Sequence, residues 1–541
     1  MKKKRGSLSL LLVVSLFFLL LPLLTGASAK NDDQAPGRTM AKQAVKETKR
    51  WITTDHSKHE MLKQAFTSGN EITQACLSCH SEASSQFHKT IHWTWLASGN
   101  EKDMRYGKAG YSVNNFCISA NNMEDKKCLS CHTGWNGKKG EVNCLKCHGT
   151  KTFNFDEAFA DYNYFMSDGD AETEMIADDI QNEIQSAAQA IDLPGRKNCG
   201  ECHFKGGGGD GVKHGDLDTS LMKPSKSLDV HMGIDGENFT CTRCHTTENH
   251  NIAGRIYTNP AVEERRSLLD DDLAPKITCI SCHSEAPHKN ESKMNDHTDR
   301  VACQSCHIPE MARVNPTKMS WDWSTAGDLR DGNPYHVDGP YGKHTYRSIK
   351  GNMTWDKNVQ PEYFWSNGTQ TSTTAEDIID PGDIVKVSQP VGSEDDPESR
   401  IYPFKIHRGK QPYDKINKTL LTPLLSGEKG YWTTFDWDEA LTLGSETLGL
   451  PFSGEFDFVE TSYAFPTTHM VAPAKNALAC VECHTRDGGR LAGLTGFYMP
   501  GRDRAKPLDF VGWAAVVGAL GGVLLHGLGR FFTRNGKEDQ Q

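Results

Sequence analysis

The stretch CLSCHTGWNGKKGEVNCLKCH, residues 128–148, contains two copies of the pattern C-x-x-C-H whose first cysteines are 16 residues apart. Two cysteines three residues apart, followed at once by a histidine, are the attachment signature for c-type haem. The thiols form thioethers to the haem vinyl groups, and the histidine becomes the proximal iron ligand. The short spacing therefore predicts two neighbouring haems and a fold built around them.

The same pattern occurs eight times along the chain. A single copy could be a redox dithiol, but eight copies that all carry the histidine argue against zinc sites or disulfides. They predict eight covalently bound haem c groups, use 16 of the 17 cysteines and leave Cys117 over. The predicted attachment residues are Cys76, Cys79, His80, Cys128, Cys131, His132, Cys144, Cys147, His148, Cys199, Cys202, His203, Cys241, Cys244, His245, Cys279, Cys282, His283, Cys303, Cys306, His307, Cys480, Cys483 and His484.

The composition agrees with an interior filled by haem. Only 37% of the residues are hydrophobic, which is low for a protein with large aliphatic cores. We expect a mainly α multihaem cytochrome c fold with much irregular structure around eight stacked haems. The formal net charge of -10 excludes a broad basic surface for nucleic acid, so a small anionic substrate must be attracted by local fields.

Both ends of the chain carry apolar segments. A basic start, an apolar run and an A-x-A sequence predict a signal peptide over residues 1–29. Near the other end, an apolar run long enough to cross a bilayer is followed by basic residues, which place the tail in the cytoplasm. The body is thus expected on the periplasmic face of the bacterial inner membrane, held by one C-terminal anchor. The predicted division is an octahaem domain over 30–507 (seven haems in 61–307, a haem-free cover over 308–479, the eighth haem at 480–484), a transmembrane helix over 508–532 and a cytoplasmic tail over 533–541.

The haem irons also need ligands on their distal sides. The 22 histidines, less the eight in the motifs, leave fourteen. This supply favours bis-histidine irons of low potential over methionine ligation. The candidate distal ligands are His59, His92, His231, His250, His288, His297, His407 and His469, with His88, His214, His336 and His344 in reserve.

A second informative stretch is CHFKGGGGDGVKHGDLD, residues 202–218, in which four glycines lead to Lys213, His214 and Asp216. Glycine permits backbone conformations closed to other residues, and successive N–H groups in such turns can bind anions. Cys117 precedes Cys128 by eleven residues. It is either a small buried hydrophobe or a thiolate able to attack a sulfur–sulfur bond.

These stretches resemble the octahaem tetrathionate reductase family of c-type cytochromes, as do CLSCHSEASSQFHKTIHWTW (76–95), PTKMSWDWSTAGD (316–328), PFKIHRGKQPYD (403–414) and HMVAPAKNALACVECH (469–484). The resemblance implies a mostly helical fold whose haem packing is similar to that of hydroxylamine oxidoreductase and pentahaem nitrite reductase. It also implies seven bis-histidine haems and one catalytic haem, attached at Cys128, Cys131 and His132, with a lysine amine as its sixth ligand.

Two lysines compete for that position. An amine binds iron only when deprotonated, and burial beside a metal lowers the pKa of a lysine from its usual value of about 10.4. Lys205 lies two residues after His203, so its backbone stays on the proximal side of its own haem, whereas Lys213 lies beyond the glycines. We therefore favour Lys213. The predicted catalytic residues are Lys213, His132, Cys117, Asp216 and His214.

Three functions remain open on the sequence alone. The first is a reductase of a small sulfur or nitrogen oxyanion, with tetrathionate leading and nitrite or hydroxylamine as alternatives. The second is hydroxylamine oxidation, and the third is an electron conduit without a catalytic iron. The membrane helix carries Gly518 and Gly522 on one face, which favours close approach of another helix. A quinol-oxidising membrane subunit or a periplasmic cytochrome is the expected electron donor.

Overall fold

The computed structural model describes residues 38–40, 54–96, 106–120, 130–135, 140–168, 170–254, 278–289 and 291–538. The predicted signal peptide, Cys128 and the end of the predicted cytoplasmic tail lie outside the described residues. The chain divides into two compact units, residues 1–476 and 477–541, which are described separately.

The first unit begins with helices and loops and continues into a sheet. Its α-helices, α1 to α12, are Gly69–Leu77, Ala83–Phe87, Ile91–Thr94, Leu145–His148, Phe155–Asp168, Ala171–Gln189, Arg196–His203, Cys241–Cys244, Ser292–Asn295, Cys303–His307, Tyr431–Thr434 and Trp437–Leu448. Its strands, β1 to β14, are Thr247–Glu248, Asn251–Ile252, Thr317–Asp322, Leu329–Arg330, Asn333–Pro334, His336–Asp338, His344–Arg347, Gly351–Asp356, Glu362–Ser366, Thr369–Gln370, Val385–Ser388, Pro390–Val391, Arg400–Asp414 and Phe456–Pro466. Short 3-10 helices span His56–Lys58, Glu60–Leu62, Thr219–Met222, Cys279–Ser281, Trp323–Thr325, Pro340–Gly342 and Ala474–Asn476.

The two longest helices of this unit, α5 and α6, follow the third haem motif. Asp170 caps α6, because its carboxylate accepts hydrogen bonds from the backbone N–H groups of Glu172 and Thr173 at 3.0 and 2.9 Å. Buried Phe159 of α5 and Ile184 of α6 belong to one apolar cluster with residues near the first two motifs. The cluster thus holds the first haem-attachment segments against a helical support.

The haem-free segment, residues 308–479, contains a sheet with its own core. This finding corrects the expectation of a mainly α fold and the expectation that the segment is only a cover. An 8-stranded sheet has the order β11-β14-β13-β3-β8-β7-β6, with β9 paired to β13. Trp321 and Trp323 stack with ring centres 4.3 Å apart and share a buried cluster with Tyr431 and Ala440. The fold is therefore not mainly α, and residues 308–479 are more than a loose cover. The core combines Trp321 of β3, Trp323 of the following 3-10 turn and residues of α11 and α12, so it does not show as a continuous apolar run.

The second unit contains the eighth motif and a long apolar helix. Helix α13, Cys480–Cys483, carries the motif cysteines, and α14 spans Lys506–Glu538. Residues Lys506–Phe532 are long and apolar enough to cross a membrane, with a mean hydropathy of 1.9. Phe510 and Trp513 are 75% and 69% exposed. This helix coincides with the predicted transmembrane segment and is consistent with a membrane anchor.

Candidate haem cavity and active site

The first unit encloses a large cavity of about 2690 Å³, lined mostly by its helical half. This exceeds the ~300–1,000 Å³ of an ordinary small-molecule pocket. Cysteines from six of the eight motifs line it, so the chain encloses space where the predicted haems attach. These cysteines are Cys76, Cys79, Cys131, Cys144, Cys147, Cys199, Cys202, Cys241, Cys244, Cys279 and Cys282.

Backbone carbonyls contact Nδ1 of several motif histidines and so orient their rings. This nitrogen lies 3.2 Å from the Asp192 carbonyl in His148 and 2.9 Å from the Ala253 carbonyl in His245. In the second unit, Nδ1 of His484 lies 2.7 Å from a backbone carbonyl in the same way. A carbonyl contact at one ring nitrogen fixes the tautomer and leaves Nε2 to bind a metal.

Histidine rings face motif histidines at a distance that suits an iron between them. Metal–imidazole bonds of about 2 Å place the two ring centres ~6 Å apart. Because this spacing recurs, the residues present fit bis-histidine haem iron. The facing pairs are His56–His80 at 6.4 Å, His92–His203 at 6.1 Å, His231–His283 at 6.2 Å, His245–His469 at 6.3 Å and His288–His307 at 6.2 Å.

Cysteines from different motifs also contact one another. Each such pair places two attachment segments side by side, so the haems they carry must be neighbours. The second motif is joined in this way to the fourth, and the first to the third. The sulfur contacts are Cys76–Cys144, Cys131–Cys202, Cys199–Cys241 and Cys279–Cys303.

The glycine-rich loop carries Lys213 to the cavity. Gly207 and Gly211 have φ angles of 77° and 70°, which favour glycine. A Cβ atom at Gly211 would lie 2.4 Å from the carbonyl oxygen of Pro316. Lys213 lines the cavity, with its Nζ 5.5 Å from the ring centre of Phe116. The glycines thus permit a tight path that ends with an amine at the cavity wall.

A buried lysine from the sheet fixes the backbone at this point. Lys405 is 1% exposed, and its Nζ donates hydrogen bonds to the carbonyls of Val212 and Lys213 at 3.0 and 3.1 Å and to Oγ1 of Thr317 at 2.5 Å. Burial lowers the pKa of Lys405 to about 7, against the opposing effect of the negative charge of Asp216. Lys405 therefore ties the end of the glycine loop to strand β13.

The two candidate lysines lie in different surroundings. The Nζ of Lys205 pairs with Oε1 of Glu201 at 2.9 Å, and the Lys205 side chain is 49% exposed. Lys213 instead lies beside Phe116 and Phe465, within 5.5 and 5.8 Å of their ring centres. This difference supports Lys213 as the candidate ligand.

The comparisons with known proteins agree with these features. Residues 318–487 match a family model described as "Cytochrome c bacterial", and residues 75–149 match "Cytochrome c554 and c-prime". The crystal structure of an octaheme cytochrome c from Shewanella oneidensis is 38% identical in sequence, with a TM-score of 0.66, and the match covers 80% of this chain and 94% of that one. The chain belongs to the octahaem c-type cytochromes. An uncharacterised protein of Archaeoglobus fulgidus is 24% identical over 263 residues, which cover 38% of this chain and 82% of the relative.

As an octahaem cytochrome, the protein binds c-type haem covalently and performs redox chemistry. Burial lowers the pKa of the proximal imidazoles His148, His245 and His307, and lowers that of His203 to about 4. These rings are therefore neutral at ordinary pH, and the neutral imidazole is the form that binds a metal.

Four of the eight predicted distal ligands face motif histidines in these ring pairs, namely His92, His231, His288 and His469. His56, not His59, faces His80; the ring of His59 is turned to Oγ1 of Thr54 at 2.6 Å. His56 begins a 3-10 turn that Asp55 caps, and His59 follows the last residue of that turn. The sequence makes both histidines candidates, and the conformation of the turn decides which ring faces His80.

His407 is fully buried in strand β13. Its Nδ1 lies 3.1 Å from Oδ1 of Asn115, and its Nε2 has no hydrogen-bond partner among the described residues. Burial, together with the charges of Lys405 and Lys318, holds the pKa of His407 well below its usual range. Strand β13 belongs to the 8-stranded sheet, and His407 does not line the haem cavity.

Asp216 contacts His469, the histidine that faces His245. Its Oδ2 accepts hydrogen bonds from the backbone N–H groups of Thr468 and His469 at 2.7 and 2.9 Å and lies 3.3 Å from Nδ1 of His469. Burial alone would raise the pKa of Asp216, but the contact with His469 outweighs it and lowers that pKa. His214, whose Nδ1 is 4.0 Å from Oδ1 of Asp216, lines the cavity. A catalytic role for either residue remains a prediction.

Cys117 lines the cavity, near a lysine that the sequence analysis missed. Lys318 of strand β3 is 2% exposed, and its Nζ lies 3.4 Å from the ring centre of Trp321. Burial and the positive charges of Lys350 and Lys405 lower the pKa of Lys318, and Cys117 opposes this shift. The sequence PTKMSWDW contains a signal for this lysine, because Lys318 stands among residues typical of a buried strand.

The predicted roles of His132, His250 and His297 remain predictions. His132 is fully buried, with its Nε2 3.0 Å from the carbonyl of Trp93. His250 lines the cavity and contributes to the lowered pKa of His148. His297 is exposed, with its Nδ1 2.7 Å from a backbone carbonyl.

The assignment of His56 as a ligand can be tested by replacing His56 and His59 with alanine in separate variants. His56→Ala should convert one haem from low spin to high spin, because it removes the ring that faces His80 at 6.4 Å. His59→Ala is the matched control and should leave the spectrum unchanged. Magnetic circular dichroism of the oxidised protein measures both, and the opposite pattern would return the ligand to His59.

Proposed function

We propose that this octahaem cytochrome is a terminal reductase of a small sulfur or nitrogen oxyanion, with tetrathionate as the leading substrate. Electrons would pass along the haems to the one attached at Cys128, Cys131 and His132. The observation that carries the proposal is the cavity wall where the amine of Lys213 and the thiol of Cys117 are both found.

The chain's own residues would bind and orient the substrate. Bound haem c supplies reversible one-electron transfer. Two electrons break the central sulfur–sulfur bond of tetrathionate and release two thiosulfate ions. Lys213 would ligate the iron at rest and give way to the substrate. The Cys117 thiol would lie beside the bond that breaks.

The sulfur contact between Cys131 and Cys202 supports a route for the electrons. It places the second motif, which carries the proposed catalytic haem, next to the fourth. The fourth is in turn joined to the fifth through Cys199 and Cys241. A catalytic site at the second motif would therefore draw electrons through the fourth.

Turnover on a panel of substrates tests the proposal. The full-length protein, reduced with a viologen dye, is mixed separately with tetrathionate, nitrite and hydroxylamine, and dye oxidation is followed. The highest kcat/KM should be found for tetrathionate. Preference for nitrite or hydroxylamine would change the substrate, and hydroxylamine-driven reduction of the haems would reverse the direction. No turnover, together with no change of any haem spectrum, would identify an electron conduit.

We also propose that helix α14 anchors the protein on the periplasmic side and contacts a quinol-oxidising membrane subunit, with a periplasmic cytochrome as the alternative donor. Gly518 and Gly522 have open space where a Cβ would lie, and together they form a face of small residues four apart. Such faces let another helix approach closely.

Deletion of residues 508–541 should release a soluble protein that still turns over with viologen but no longer accepts electrons from quinol. The full-length Gly518→Leu/Gly522→Leu variant is the control, because it keeps the apolar anchor while blocking close helix contact. It should stay in the membrane fraction and lose quinol-dependent turnover. Full quinol-dependent turnover by the truncated protein would contradict the proposed subunit.

A further inference from the structure

A hairpin apart from the residues that line the haem cavity brings two histidines and an aspartate together. Strands β6 and β7 carry them, and all three side chains are accessible to solvent. Nδ1 of His344 lies 2.8 Å from Oδ1 of Asp338, and Nε2 of His336 lies 3.9 Å from the same oxygen. One donor atom from each residue lies within 4.8 Å of the others.

A β-bulge brings His344 to this group. His336 and Asp338 are two apart in β6, so they project from the same face of the strand. Regular antiparallel pairing from His336↔Arg347 and Val337↔Tyr346 would place Thr345 opposite Asp338. The register shifts after Val337, and His344 lies opposite Asp338 instead. Because directly opposed residues share a face, the bulge aims His344 at Asp338.

We propose that His336, Asp338 and His344 bind a divalent first-row transition-metal cation such as Zn²⁺. Two imidazole nitrogens and one carboxylate oxygen suit these metals better than Mg²⁺ or Ca²⁺, and three protein ligands leave a position for water. Metal–ligand bonds of about 2.0–2.2 Å in tetrahedral geometry separate donors by ~3.3 Å. The distances of 2.8 and 3.9 Å bracket that value.

The same residues have no competing partner in the described part of the chain. The ion pairs of Asp338 there are with the two imidazoles alone. The rings of His336 and His344 contact each other, with centres 4.4 Å apart, and no motif histidine faces them. His336 and His344, which the sequence offered as reserve haem ligands, therefore form a separate candidate site. The neighbouring Lys343 points elsewhere, with its Nζ over the ring of Trp355 at 4.9 Å.

Calorimetric titration of the oxidised, haem-loaded, full-length protein with ZnCl₂ tests this site. The wild type should bind one Zn²⁺ that the double variant His336→Gln/His344→Gln loses, and Asp338→Asn should weaken that binding at least about tenfold. Asp356→Asn, an exposed carboxylate on β8, is the matched control and should bind as the wild type does. Unchanged haem spectra check the fold of each variant.

Titration with MgCl₂ and CaCl₂ should show no binding at this site. Equal Zn²⁺ stoichiometry and affinity in the wild type and the double variant would overturn the proposal, and so would the absence of Zn²⁺ binding by the wild type. If the double variant does not fold, Asp338→Asn decides the matter alone, because it changes one exposed oxygen and removes no side-chain volume.

Discussion

Lys213→Ala should open one haem to water and turn its ferric signal from low spin to high spin. The lost amine leaves a coordination position that cyanide or azide can fill. Turnover should fall by about 100-fold or more, comparable to removal of one charge-stabilising donor from an active site. Electron paramagnetic resonance of the oxidised protein, with and without cyanide, measures the first effect, and the viologen assay measures the second.

Lys205→Ala is the control for this experiment, since Lys205 pairs with Glu201 in solvent and its loss should alter neither the spectrum nor the rate. If Lys205→Ala opens the haem and Lys213→Ala does not, the ligand is Lys205. If neither variant changes the spectrum, the glycine-rich stretch has no part in ligation.

The haem attachment residues could be predicted because their signal is local. Five consecutive residues define each motif, and short helices such as α7 and α13 end at or just before the motif histidine. The start of α6 is equally local, since Asp170 caps it. Local chemistry of this kind can be read without knowledge of the tertiary structure.

The sheet could not be predicted in the same way. Strand β13 pairs with β14 over eleven registered positions from Phe404↔Pro466 to Asp414↔Phe456. Partners so far apart in sequence leave no local pattern beyond alternation, and Pro403 and Pro412 within β13 argued against a central strand. The multihaem cytochrome c fold is confirmed, but the expectation of a mainly α chain missed this sheet and the buried position of His407 within it.

The candidate site also depends on contacts of the same long range. His407 is held by Asn115, 292 residues away, and Lys405 reaches the loop of Lys213 across 193 residues. The choice between His56 and His59 rests on one 3-10 turn. Sequence can supply the histidines and lysines of such a site, but tertiary contacts decide which of them meet.

Asp216→Asn should raise the reduction potential of one haem, the one that His245 and His469 would ligate, and lower the stability of the protein. The Asp216 carboxylate is 2% exposed, and its Oδ2 lies 3.3 Å from Nδ1 of His469 and accepts two backbone hydrogen bonds. A negative charge behind an axial imidazole increases its electron donation and stabilises ferric iron. Neutral asparagine keeps the shape but removes the charge. A loss of about 1.4 kcal/mol of ferric stabilisation corresponds to about 59 mV for one electron, and the lost charged hydrogen bonds should cost about 2 kcal/mol of folding stability.

Asp218→Asn separates the electronic effect from the structural one. Asp218 is also buried, but its Oδ1 accepts hydrogen bonds from Ser220 N–H and Asn315 Nδ2, at 2.7 and 3.1 Å, and not from a histidine. Both variants should unfold at lower temperature, because each weakens a buried polar network. Only Asp216→Asn should shift a potential in a spectroelectrochemical titration. Equal shifts in the two variants, or none in Asp216→Asn, would show that Asp216 supports the backbone at residues 468–469 without tuning the iron.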